Sequence, residues 1–244
     1  KVYTTEVLVV GGSTGGTAAG IQAARSGVQT IIVEQTTMLG GMLTAAGVSC
    51  TDGNDLLHSG IWQEFRRALY AHYGTDNLAS GWVSNTCFEP HVGDSIFKSW
   101  ALKEKKLQVY YGWYFDKALK TGNRVTGASF INAGQQRMNV FAQVVIDATD
   151  LGDVFASAGA GYDLGMESPK YSGEKEAREK NDIIQDLTWA AVLKDYGAGA
   201  DKTIARQDQY NAQLYYCSTS DAPCNDKPYS LNTQKVLDYG KLTV

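Results

Sequence analysis

The chain predicts an α/β fold: a parallel central sheet with an inserted antiparallel β-meander. Three observations lead there. V-L-V-V-G-G-S-T-G-G at 7–16 carries a β-rich run into a glycine-rich turn. Small and apolar residues then suit a helix to Arg25, and T-I-I-V-E at 30–34 reads as a second buried strand ending in an acid. Strand, tight turn, helix and strand make a βαβ unit, which implies a parallel pair. Farther along, β-rich runs separated by polar turns supply the meander.

The elements follow in order. A strand is expected at 5–10 and a helix from Gly15 to Arg25, ended by Gly27, before the strand at 30–34. Residues 36–58 are rich in glycine, threonine and small side chains without a clear period, and read as an extended, ordered loop. Helices are expected at 59–73 and 92–105, then strands at 107–111, 113–119, 125–131 and 137–146, with turns at T-G-N and N-A-G-Q-Q. The meander is placed at about 107–143. A short helix is expected at 153–158 and another over 174–195, within a polar, tyrosine-rich tail.

At 244 residues, with 43% hydrophobic residues and five tryptophans, the chain is globular and buries a large core. Its 22 basic and 26 acidic residues give a net charge of -4 with no long run of either sign. That argues against nucleic acid as a partner, because phosphate binding needs a basic face. No apolar stretch reaches the roughly 18 residues of a membrane span, so a soluble protein is expected. The chain begins at Lys1 without an initiator methionine, so a signal peptide or other leading segment is expected to be missing. With the tyrosine, asparagine and glutamine content, a secreted or periplasmic location fits.

None of the four cysteines forms a CxxC pair, their spacing matches no zinc site, and no metal is expected. Cys217 and Cys224 flank S-T-S-D-A-P and read either as a small disulfide of an exported protein or as two ordinary thiols.

The turn carries the chemistry. Gly11 makes the tight turn, Gly12 and Gly15 give freedom around Ser13 and Thr14, and Gly16 lets helix and strand pack closely. The helix start offers unpaired backbone donors to phosphates. Ser13 stands where the dinucleotide fingerprint has its middle glycine. It remains usable if its backbone angles suit an L-residue, and its hydroxyl could donate to a phosphate. Glu34 follows Gly11 by 23 residues, close to the about 20 at which a ribose-binding acid is found. It would accept from ribose hydroxyls and repel a 2′-phosphate, while adding little to the core. The alternative is a glycine turn of an unrelated α/β protein with an ordinary strand-end glutamate.

Further segments resemble the FAD-dependent oxidoreductases whose cofactor-binding half is built like that of glutathione reductase. The resemblance is closest to a branch labelled broadly FAD dependent oxidoreductase or xanthan lyase-like, and it covers residues 5 to about 167. In E-Q-T-T-M-L-G-G-M-L-T at 34–44 it implies Glu34 and Gln35 at the adenosine end, with Gly40, Gly41 and Met42 approaching the ribityl chain and ring. In V-V-I-D-A-T-D-L-G-D at 144–153, Ala148 and Thr149 match the family, whereas Asp150 stands where many members have glycine. Asp150 is expected to cap the next helix or to order solvent. In Y-Y-G-W-Y-F-D at 110–116, Phe115, with Tyr114 beside it, would lie near the adenine, or the aromatics simply alternate in a sheet.

From F-E-P-H at 88–91 the resemblance offers His91 as a candidate acid or base beside the flavin; no other catalytic residue is identified. Cys50 is expected to be a packed thiol, since no CxxC or CxxxxC partner supports a flavin-linked disulfide. No histidine near 40–44 supports a covalent histidyl link. Residues 1–167 are thus expected to form a Rossmann-like FAD-binding domain. Residues 168–244 would be a helical or irregular extension that starts a substrate or cap region, without the family's later return to the flavin. The chain is therefore expected to be the N-terminal part of a longer enzyme. The implied function is an FAD-dependent oxidoreductase whose flavin accepts a hydride equivalent from an unidentified small-molecule or carbohydrate-like substrate. An NAD-binding dehydrogenase or reductase, and a non-catalytic or degenerate cofactor-binding module, are the alternatives.

Overall fold

The first strand, β1 (Val2–Val10), is the axis on which the rest is assembled. The computed structural model describes residues 1–54, 56–79, 84–175, 179–184, 190, 196–203, 205 and 207–211. Leu8, Val9 and Val10 are all buried, as a strand covered on both faces requires. The helix α1 (Thr14–Arg25) crosses to β2 (Thr30–Glu34), which pairs in parallel with β1 from Val7 opposite Thr30 to Val10 opposite Val33. Gly27, at φ +87, ends the helical run just beyond the Ser26 cap.

The loop after β2 holds a single 3-10 turn at Gly41–Leu43 and leads to β3 (Cys50–Thr51) and α2 (Gly60–Tyr73). Then come β4 (Thr86–Cys87), α3 (Pro90–Lys103) and β5 (Leu107–Tyr111). The antiparallel β3–β4 ladder is only two residues long on each side, too short to leave a period in the sequence. Three strands follow, β6 (Trp113–Thr121), β7 (Arg124–Asn132) and β8 (Arg137–Asp147). They form the antiparallel meander, and β8 also lies parallel to β1 along its free edge. The six-stranded mixed sheet has the order β5-β2-β1-β8-β7-β6.

One correction concerns where the meander starts. Residues 107–111 belong to the parallel edge, with Thr30 opposite Leu107 and Glu34 opposite Tyr111. Leu107 and Val109 pack into the core beneath the helices, and Gly112 at φ +75 turns the chain before the meander begins at Trp113.

Side chains alternate along β1 and β2 into two cores. Val9 and Ile32 pack with Ile21, Phe65, Phe88 and Phe97 under α1, α2 and α3, where the Phe65 and Phe97 rings stack with centroids 4.6 Å apart. On the other face Leu8, Val10, Ile31 and Val33 meet Phe130, Met138 and Val140, because the meander curls back over that side.

After β8 come α4 (Asp153–Ala158) and the single turn α5 (Pro169–Ser172). The helix expected over 174–195 does not form at its described residues. Asn181 instead bridges Met166, amide to carbonyl in both directions at 3.4 and 3.0 Å. The charged run at 174–180 offers no apolar stripe for a helix to bury. The remaining positions of that helix, at 176–178, 185–189 and 191–195, lie outside the described residues, as do Cys217 and Cys224. No helix among the described residues is long and apolar enough to cross a membrane.

Candidate functional site

Because β1 pairs in parallel with both β2 and β8, the carboxyl ends of three strands converge. The chain leaves β1 toward β2 on one side, while β8 arrives on the other. Open α/β sheets leave a ligand crevice at such a switch point. A cavity of about 400 Å³ lies here. Gly11 and Ser13 line it from the β1 end, Glu34, Gln35 and Thr36 from the β2 end, and Ala148, Thr149, Asp150, Leu151 and Asp153 beyond β8. Gly41, Ala45 and Ala46 of the loop, with Trp113, Phe115 and Phe130 of the meander, complete the wall.

The glycine turn is held by close packing. Gly11 has φ +96, and a Cβ on it would lie 2.5 Å from the Ala148 carbonyl oxygen. Gly16 is buried directly against the Gly11 carbonyl. Ser13 has φ −57 and ψ 177, angles that any L-residue adopts. It is the N-cap of α1, its Oγ accepting from Gly16 N at 3.2 Å, which leaves its own proton for another acceptor. Thr14 Oγ1 donates to Gly40 O at 2.8 Å, and Gly40 N donates to Gly12 O at 2.8 Å, so Thr14 ties the loop to the turn and does not line the cavity. Gly15 is exposed, and a Cβ on it would meet open space.

Glu34 is only 6% exposed. Its Oε2 accepts from Gly12 N at 2.5 Å and its Oε1 from Thr36 N at 2.6 Å. Beyond the little expected of it in the core, this carboxylate pins the glycine turn to the exit of β2. An ionised carboxylate has about four acceptor sites, so two remain for other donors, and Glu34 is part of the cavity wall.

The paired glycines divide. Gly41, at φ +52, presses on Ser13, where a Cβ would lie 2.8 Å from Ser13 Cα. Gly40, at φ +109, is buried against the Phe97 ring, 2.7 Å from a Cβ, so helix packing sets its demand for glycine. Met42 is 61% exposed and lies off the cavity. Asp94 Oδ1 accepts from Leu39 N at 2.9 Å, and Lys98 Nζ donates to Asp94 Oδ2 at 2.8 Å and to Thr37 O at 2.6 Å, fastening this loop to α3. Tyr111 sits beside them. Burial pushes its hydroxyl up to about 12, and the Asp94 and Glu34 charges add to the effect.

Asp150 does not cap α4, contrary to one expectation for it. The last residue of β8, Asp147, does that work: its Oδ2 accepts from Phe155 N at 3.0 Å, and its Oδ1 from Thr149 N and Oγ1 at 3.1 and 2.7 Å. Thr149 Oγ1 in turn accepts from Asp153 N at 2.7 Å. Asp150 is left exposed at the cavity wall.

Phe115 reaches the cavity, and so does Trp113, which sequence reasoning passed over. The signal was strand alternation: residues two apart share a face, and Tyr114 points to the other side, 52% exposed. His91 is exposed on the first turn of α3 and does not line the cavity.

Among the described residues three carboxylates line this cavity, those of Glu34, Asp150 and Asp153, and no lysine or arginine does. Ribose hydroxyls would find acceptors and a planar base an aromatic wall. A pyrophosphate would depend on backbone amides at the α1 start and on Ser13. The close-packed turn, where a Cβ on Gly11 could not fit, keeps bare backbone at that end. This donor and acceptor set fits the nucleotide half of a dinucleotide.

A family model described as FAD dependent oxidoreductase matches residues 6–240. No curated protein matches the chain. Among solved structures, it is similar to the flavin-dependent brominase Bmp2, at 15% identity over 67% of this chain and 42% of that one, with a TM-score of 0.49. It is similar to THI4 from Thermovibrio ammonificans, at 20% identity over 68% and 67%, TM-score 0.45. A third is a geranylgeranyl bacteriochlorophyll reductase-like protein from Thermoplasma acidophilum, at 18% identity over 65% and 43%, TM-score 0.44. At these scores none of the three bears on the site. The chain spans less than half the length of the first structures it matches.

Proposed function

Since this chain belongs to the FAD dependent oxidoreductase family, we propose that the switch-point cavity holds the adenosine and pyrophosphate half of FAD. The observation that carries this is Glu34, a buried carboxylate in the cavity wall, fixed by two backbone amides. It would receive the ribose hydroxyls. Trp113 and Phe115 would flank the adenine, with Gln35 at its edge. Gly11, Ser13 and the first amides of α1 would take the pyrophosphate, whose charge the carboxylate-lined wall does not neutralise. The same wall disfavours an added 2′-phosphate.

The loop through Gly41 and Met42 would continue toward the ribityl chain and ring. Ala148 and Thr149 keep the β8 end low enough for the cofactor to pass, while Asp150 and Asp153 order water at the rim. When bound, FAD supplies the redox chemistry, accepting a hydride equivalent from an organic substrate. Residues 1–167 would form the cofactor domain and residues 168–244 the beginning of a substrate or cap region. His91 is not proposed as acid or base.

The test is release of the cofactor. The purified protein is denatured, and the supernatant is examined by visible absorbance and mass spectrometry, before and after reconstitution with FAD. Stoichiometric FAD is expected. Repeated absence of FAD, or calorimetric binding of NAD that excludes it, would overturn the proposal.

A further inference from the structure

Cys50 stands directly opposite Cys87 in the β3–β4 ladder. The hydrogen bonds around them identify the kind of pair. Phe88 N donates to Ser49 O at 3.0 Å, a bond that brackets Cys50 and Cys87 from outside. Cys87 N turns away from β3 and donates to Leu78 O at 3.0 Å. The two cysteines therefore form a non-hydrogen-bonded antiparallel pair, the closer of the two kinds, with Cα atoms about 4.5 Å apart and side chains on one face. Disulfides span Cα separations of roughly 4.4–6.8 Å. Both residues are thiols in this structure and both are buried, Cys50 at 6% and Cys87 at 2% exposure. The Cys87 thiol donates to Ser84 O at 3.7 Å.

What the pair joins gives it consequence. Cys50 lies a few residues beyond Gly41, Ala45 and Ala46, which line the cavity. Cys87 is followed at once by Phe88, a fully buried core residue, and then by α3. While the cysteines are reduced, the backbone bonds of a two-residue ladder, the hydroxyls of Ser84 and Thr51 that donate across it to Thr51 O at 2.5 Å and Thr86 O at 3.4 Å, and local packing hold this junction.

We propose that Cys50 and Cys87 are a redox-switchable clasp, closed as a disulfide by low-molecular-weight disulfides and reopened by thiols. One cysteine loses its proton and attacks the small disulfide, forming a mixed disulfide and releasing one small thiol. The second cysteine, deprotonated in turn, attacks the protein sulfur of that adduct and releases the other small thiol. Two S–H bonds of the protein are replaced by one S–S bond, and the small disulfide, reduced by two electrons, takes up both protons. Brief opening of so short a ladder admits the reagent. Closure fixes the cavity-lining loop to the root of α3. This assignment does not depend on which cofactor the cavity takes.

The experiment uses the full chain. It is equilibrated with oxidised glutathione at a urea concentration just below the unfolding transition, where local opening gives access. After an acid quench and alkylation, it is digested without reduction and analysed by mass spectrometry. The expected product is a linked peptide pair containing Cys50 and Cys87, two hydrogens lighter than the separate thiol peptides and returned to them by dithiothreitol. The oxidised chain should melt several degrees higher than the reduced one. Cys50→Ser should abolish both the link and the redox dependence of melting, and Cys87→Ser repeats the check. Recovery of both wild-type residues as alkylated thiols, as separate glutathione adducts, or linked instead to Cys217 or Cys224 would overturn the proposal.

Discussion

Gly12 and Glu34 are joined by a 2.5 Å hydrogen bond from the Gly12 amide to the Glu34 carboxylate, across the gap between the first two strands. The other oxygen of the same carboxylate takes the Thr36 amide. Glu34→Ala should therefore do more than weaken a ligand. Leaving two amides without their partner should lower the free energy of unfolding by about 2–4 kcal/mol, measured by urea denaturation. FAD affinity should fall roughly tenfold or more, measured on protein kept well below the transition. Unchanged stability would show that water replaces the carboxylate at both amides.

Gly11 and Gly15 should respond oppositely to the same change. Gly11→Ala puts a Cβ against the Ala148 carbonyl at a backbone angle that disfavours side chains, and should destabilise the fold strongly. At Gly15 a Cβ meets open space inside a helix, so Gly15→Ala should be neutral or stabilising by up to about 1 kcal/mol. Thermal melts of the two variants decide this. A loss of FAD affinity in folded Gly15→Ala would place a phosphate beside that turn of α1.

Ser13→Ala removes the cap on Gly16 N. It should cost about 1 kcal/mol of stability by urea denaturation. The backbone angles at Ser13 need no glycine, so Ser13→Gly should recover most of that loss. Failure of the glycine variant to do so would mean that the serine hydroxyl has another partner.

Trp113 should report on the cavity. If adenine lies against it, adding FAD should quench tryptophan emission, and Trp113→Phe should remove a larger share of that quench than Trp62→Phe on α2. Because phenylalanine keeps an aromatic wall, affinity should fall by less than about tenfold. Equal quenching in both variants would remove Trp113 from the binding face.

The alkaline limb of stability should carry Tyr111. Its unfolded pKa is about 10, and burial raises the folded value to about 12. The protonated hydroxyl therefore contributes stability in full below about pH 10, and the contribution is lost as pH rises through 12. Between these limits the urea midpoint of the wild type should fall relative to that of Tyr111→Phe as the pH rises. Parallel curves would mean that the hydroxyl titrates normally.

The βαβ unit was legible because its pattern is local: a β-rich run, a glycine turn and a helix of small residues lie next to one another. The meander strands were legible for the same reason, each bounded by a polar turn. The β3–β4 ladder was not, since two residues carry no period and its partners are far apart in the chain. Nor was the parallel pairing of 107–111, because a buried edge strand and a hairpin strand look alike until their neighbour is known. At the site, the cluster of Gly11, Ser13, Glu34, Gly41, Phe115, Ala148, Thr149 and Asp150 around one cavity follows the order of motifs in the sequence. The roles inside it were less readable. A carboxylate that serves backbone amides and one that faces a ligand are the same letter, and the capping by Asp147 depends on a helix that starts only after the strand has ended.

The placement of β8 beside β1 has a consequence for how the chain is made. Val2 finds its partner in Asn139 and Val10 in Asp147, so the first of the sheet's strands to leave the ribosome must wait for the last. Until then one edge of β1 is open, and Leu8 and Val10 lack the Phe130, Met138 and Val140 side chains that later cover them. Early β1, α1 and β2 can meet, but the sheet closes only after Asp147 has been synthesised. Pairings this distant slow folding and leave apolar edges exposed in the meantime. A nascent chain halted before β8 should thus hold a half-built sheet and associate with chaperones or with copies of itself, whereas one halted just after α4 should not.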